Sequence, residues 1–112
     1  VIANSPMNPA VEKRKHPRHS VTIQGVFSSG GIRGEEGTVF DLSLEGCRMF
    51  SSAVPPQESE IELQIRPRHG PSIFIPYAIV RWTAESAFGV QFKTVAGHES
   101  RRLAQLLSVA AS

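Results

Sequence analysis

No stretch of this 112-residue chain approaches the ~18–20 consecutive apolar residues that a membrane-spanning helix requires. That excludes membrane insertion by helices and leaves a soluble or peripheral protein. Cysteine is almost missing. Cys47 alone cannot close an intrachain disulfide, which removes the disulfide-stapled secreted class and makes a reducing cytoplasm the expected compartment. One thiol also cannot anchor the usual multi-cysteine zinc sites, and His16 and His19 have no further Cys or His nearby, so no metal is expected. The chain opens without a basic region followed by an apolar run, so no secretory signal is expected there. Residues 1–6 read instead as a foreign remnant ahead of a native start at Met7. Internal repeats and low-complexity segments are lacking. So are a recognisable carboxylate pair, a nucleophile–base pair and a phosphate-binding glycine loop ahead of a helix, so an enzyme is not expected.

What is present is a globular balance, 40% apolar and 20% charged, in a length that suits one domain. The net charge of +2 is unevenly placed. Glu12, Lys13, Arg14, Lys15 and Arg18 give residues 1–18 a sum of +3, which leaves −1 for the rest. A basic arm on a near-neutral body suits a compact anion better than a nucleic-acid polymer, which favours a broad basic face with stacked surface aromatics.

Residues 1–19, with Pro6, Pro9 and Pro17, carry no apolar periodicity and read as a flexible arm; residues 20–112 read as the folded body. Alternation then predicts strands over residues 21–28, 32–42 (broken around Gly34–Gly37), 44–51, 60–66, 72–83 and 88–92. The clearest is residues 60–66, with Ile61, Leu63 and Ile65 on one face and polar groups on the other. Pro76 within the fifth strand requires an edge, a bend or a bulge. Residues 98–110 have helical spacing, with Leu103, Leu106, Leu107 and Ala110 in one stripe. Six short strands and a C-terminal α-helix predict a mainly β protein, an antiparallel β-barrel with the helix across one opening.

Two motifs carry the chemistry. Arg14 and Arg18 form an R-x-x-x-R pair on the arm, which chance alone would supply roughly 0.7 times in a chain this rich in arginine. Asp41, Ser43 and Gly46 form a D-x-S-x-x-G pattern at the join of the second and third strands, and chance supplies only roughly 0.03 matches to the wider pattern with Asp or Asn in first place. The second pattern is therefore the informative one. Each residue also has a plainer reading: the arginines as a solvated tail, Asp41 and Ser43 as turn caps, Gly46 as a turn glycine. Trp82 reads first as core or rim packing and second as a base-stacking residue. Arg48 and Arg81 read as surface strand residues, and Cys47 as a buried thiol.

In this order, and in a chain of six strands plus a helix, the two motifs resemble those of the PilZ-domain family. The resemblance runs from about Lys13 to about Leu107 and takes in residues 78–82 and 89–92. It implies a six-stranded PilZ-type barrel that acts as a receptor for the bacterial second messenger cyclic di-GMP, with Lys13, Arg14, Arg18, Asp41, Ser43 and Gly46 at the ligand and no other cofactor. Pro17, directly before the second arginine, is a local oddity that stiffens the arm. The chemistry suits that ligand. Arginine forks pair with phosphate oxygens or with guanine O6 and N7. The carboxylate of Asp41 accepts from guanine N–H groups, and a glycine lets a ligand approach the backbone. A basic residue before the first arginine, here Lys13, goes in this family with two ligand molecules per chain. A domain this small implies an effector protein partner; a ligand-independent protein-interaction adaptor is the alternative.

Overall fold

Alternation builds the molecule. In β4 (Glu60–Arg66), Ile61, Leu63 and Ile65 are buried while Glu60, Glu62 and Arg66 are exposed, the pattern of a strand with one face to a core. Similar logic gives β1 (His19–Ser29), β2 (Ile32–Leu42), β3 (Gly46–Phe50), β5 (Ile73–Thr83) and β6 (Ala87–Thr94). The computed structural model, which describes residues 17–111, is a closed barrel in the order β1-β2-β3-β6-β5-β4. Every neighbouring pair is antiparallel, and β1 closes on β4. Among the described residues, closure leaves no edge strand to be covered. Of the expected arm, residues 1–16, and with them Lys13 and Arg14, lie outside the described residues. Pro17 and Arg18 are described, and His19 already opens β1.

The strand expected to break around Gly34–Gly37 runs unbroken as β2. Its glycines serve the core instead. Gly25 of β1 and Gly37 of β2 face each other, and a Cβ on either would come within 2.9 Å of the Met49 methyl. The missing side chains make room for Met49, which is fully buried. Pro76 sits where both ladders of β5 slip, between Leu63 and Ile61 on the β4 side and next to Tyr77 on the β6 side. Such irregularities are where a strand tolerates proline.

Phe27 and Phe88 meet edge-to-face at the centre, ring centroids 5.0 Å apart. Val39, Leu42, Ile65, Ile75 and Val80 surround them in one buried cluster. The helix, α1 (Gly97–Ala111), adds Leu103 and Leu107 to that cluster and packs on β1 and β5. Those two strands are not neighbours, so the helix bridges across the barrel. Leu106 is only partly buried.

Candidate functional site

One transverse row crosses five strands. Register pairs Ser20 of β1 with Asp41 of β2, Asp41 with Arg48 of β3, Arg48 with Gly89 of β6, and Gly89 with Trp82 of β5. The neighbouring row, Leu42, Cys47, Val90 and Val80, faces the core. Three of the five strands slip register at this level: β1 between Ser20 and Ile23, β2 between Val39 and Asp41, β5 between Val80 and Trp82. An extra residue in a strand turns the side chains beyond it to the other face. Val39 points inward, so strict alternation would also send Asp41 inward. The slip lets Phe40 and Asp41 both face out, and likewise Arg81 and Trp82 after the buried Val80.

The row lines a cavity of about 340 Å³ bounded by Arg18, Ser20, Asp41, Arg48 and Trp82. A second, of about 240 Å³, shares Arg18, Arg48 and Trp82 and extends to Gly46, Arg81 and Gln91. Larger hollows lie by the β1–β2 hairpin and along α1, about 540 and 610 Å³, but no buried charged side chain lines either. Asp41 sets this site apart. Its residue is 4% exposed, its Oδ2 accepts from Arg48 Nη2, and Arg18 Nη1 lies 3.8 Å from the same oxygen. Among the described residues, Asp41 Oδ1 and Arg48 Nε are buried without a hydrogen-bond partner. Arg48 also lies over the Phe40 ring, 5.5 Å from its centroid, and Phe40 stacks on the exposed Phe50.

The rest of the D-x-S-x-x-G segment is a turn. Ser43 N–H donates to the Gly46 carbonyl at 2.9 Å, its hydroxyl donates to the same oxygen at 3.4 Å and accepts from Glu45 N–H at 3.1 Å. Ser43 is buried, so its hydroxyl fastens the turn that connects β2 to β3. At Gly46 a Cβ would run into the Val90 carbonyl oxygen, so glycine is demanded by the close approach of β3 to β6. Gly89 has a related role: a Cβ there would meet the Trp82 indole, which lies over it. Trp82 therefore packs at the rim and remains 38% exposed beside the cavity. Beneath the row, burial pushes the Cys47 thiol up to about 12; the Asp41 carboxylate adds to the rise and the Arg18 guanidinium opposes it. A thiol held neutral is a packing group, not a nucleophile. Among the described residues no three His, Cys, Asp or Glu side chains gather into a metal site.

A family model described as "PilZ domain" matches residues 12–108. The chain belongs to the PilZ-domain family. A search among curated proteins finds no match. Among solved structures, the PilZ fold here is similar to the inhibitor of motility MotI/DgrA of Bacillus subtilis, with a TM-score of 0.71 and 15% identity over 84% of this chain and 49% of that one. It is similar to YcgR of Escherichia coli, solved in complex with cyclic di-GMP, with a TM-score of 0.71 and 13% identity over 87% of this chain and 45% of that one. It is also similar to the PilZ domain of CeSA from a cellulose-synthesizing bacterium, with a TM-score of 0.67 and 15% identity over 86% of this chain and 99% of that one. The chain thus spans about half the length of the first two and matches the third throughout. At these identities the likeness is one of fold. No helix among the described residues is long and apolar enough to cross a membrane.

Of the PilZ motif residues that are described, the structure brings Arg18 and Asp41 together, places Ser43 and Gly46 in the supporting turn, and sets Trp82 at the far end of the row. Sequence reasoning left Arg48 as an ordinary surface residue; the structure makes it the direct partner of Asp41. A signal was available. The Ser43–Gly46 turn, once recognised, pairs Leu42 with Cys47 and Asp41 with Arg48, so two opposite charges fall side by side across the hairpin. Arg81, by sequence another surface strand residue, does more than that. It lines the adjoining cavity, where it donates to Gln91 at 2.9 Å and pairs with Glu58 at 2.8 Å.

Proposed function

We propose that this PilZ domain is a non-enzymatic cyclic di-GMP receptor that closes its basic arm over the barrel row and signals by presenting the closed surface to an effector protein. The observation that carries the reading is Asp41: a buried carboxylate beside a cavity, with one oxygen unpartnered and two arginines at the other. Buried polar groups are nearly always satisfied, and an exception at a cavity calls for a ligand that donates. Guanine N1–H and N2–H are such donors. The cavity's other walls suit the remainder of a cyclic dinucleotide: Arg18 for a phosphodiester and the Trp82 face for a purine. Arg14 and Lys13 would add positive charge from the arm. The complex of Escherichia coli YcgR with cyclic di-GMP supports the same ligand class.

Two ligand molecules per chain follow from Lys13 by resemblance, and the cytoplasm is the compartment where this messenger is met. Ser43 and Gly46 act through the shape of the turn. The chain has its own reporter, because Trp82 is the sole tryptophan and borders the cavity. Titration with cyclic di-GMP is expected to change Trp82 emission saturably, and Asp41→Ala is expected to abolish the change. Constant emission together with no heat of binding would move the function to the ligand-independent adaptor.

A further inference from the structure

Arg48 and Asp41 are joined by one hydrogen bond where two planar ions of this kind can make two. The pair keeps one buried acceptor, Asp41 Oδ1, and one buried donor, Arg48 Nε, without partners. We propose that Asp41 and Arg48 act as a single guanine reader, with Arg48 a ligand-contacting residue that sets selectivity for guanine over adenine. The inference rests on the receptor reading above and adds a residue and a selectivity to it.

Chemical complementarity carries the argument. Guanine presents two N–H donors, on N2 and N1, and next to them two acceptors, O6 and N7. A carboxylate bonded side by side to a guanidinium presents acceptors followed by donors, the matching order. Asp41 Oδ1 takes a base N–H while Arg48 gives to O6 or N7, and both buried orphans are satisfied by one base. Adenine reverses the pattern, with an acceptor at N1 and a donor at N6. It would set its amine against the guanidinium and its ring nitrogen against the carboxylate.

Selectivity of this kind needs a guanidinium held in place. Arg48 is held on two sides, by Asp41 and by the ring of Phe40, which is itself stacked on Phe50 with centroids 4.1 Å apart and planes 22° from parallel. Arg18 is only 3.8 Å from Asp41 Oδ2 and 35% exposed in its side chain. It is free to turn to a phosphodiester without dismantling the reader.

The test is calorimetric titration of cyclic di-GMP and of cyclic di-AMP into the wild-type chain, Arg48→Met and Arg48→Lys. Wild type is expected to prefer the guanine ligand. Arg48→Met should weaken cyclic di-GMP about ten- to a hundred-fold and move cyclic di-AMP far less, the scale of one lost bidentate base contact. Arg48→Lys keeps the charge but lacks the fork, so it should lose selectivity as well; it also decides the matter if Arg48→Met fails to fold. Equal weakening of both ligands would reduce Arg48 to a general charge and overturn the proposal. Unchanged cyclic di-GMP binding in both variants would overturn it while leaving the receptor reading intact. A wild-type chain that binds neither ligand would overturn both.

Discussion

In the proposed receptor Asp41 meets two demands at once: it is buried like a core residue, and it must stay available to a ligand. The register slip in β2 reconciles them by turning the side chain outward, and Arg48 covers it from above. Asp41→Ala removes the anion and leaves the Arg48 guanidinium without its bond. That side chain is 42% exposed, so water takes over much of the loss, and the cost to stability should be about 1 kcal/mol. The binding defect should be far larger than the folding defect, which a melting curve beside a titration would establish. Gly89→Ala works the other way. It pushes the indole of Trp82 off its seat, at an overpacking cost of about 1–3 kcal/mol, and should shift Trp82 emission before any ligand is added.

Cys47 gives a pH prediction with a definite sign. Its folded value of about 12 lies above the ordinary 9.0, so the folded chain holds this proton more tightly than the unfolded one. The corresponding stability is complete below about pH 9 and is lost as pH rises toward 12. Urea midpoints measured from pH 8 upward should fall, and the fall should be shallower in Cys47→Ala. A maleimide should leave the native thiol unmodified at neutral pH and label it once the chain is unfolded.

Strands with one buried face were legible in the sequence because their side chains alternate without interruption; β4 is the clearest case. The ends of β2 and β4 and the slip at Pro76 were legible too, but the slips beside Asp41 and Trp82 were not. β2 runs unbroken through its glycines because Gly37 faces Gly25 and yields space to Met49, a long-range reason that no local pattern contains. The row of Asp41, Arg48 and Trp82 likewise needs a long-range step, the pairing of β3 with β6 that joins the β2–β3 and β5–β6 hairpins. The D-x-S-x-x-G spacing could be read as a motif, but the burial of Ser43 within the turn, and the arginine that completes the pair, required the hairpin register. The helix stripe was legible in Leu103 and Leu107, which are buried. Leu103→Ala should cost about 2–5 kcal/mol as a core truncation. Because no residue of α1 lines either cavity of the row, thermal stability should fall while cyclic di-GMP affinity, measured well below the melting point, is kept.

Charge is distributed over the molecule to fit the receptor reading. The segment up to Arg18 carries +3 and the remainder −1, so under the proposed function a dianionic ligand would be drawn to that end of the chain. Such attraction is screened by salt, with a Debye length of roughly 8–10 Å at physiological ionic strength. In the proposed clamp the barrel would contribute shape and the reading of the base, and the arm charge and closure.

The most direct test is calorimetric titration of cyclic di-GMP into the wild-type chain and Arg14→Ala at low and at moderate salt. The expected result is binding with two molecules per chain, weakened by salt and lost in the variant. Saturable binding that neither salt nor Arg14→Ala alters would contradict the clamp, and the absence of binding by the wild-type chain would contradict the receptor itself.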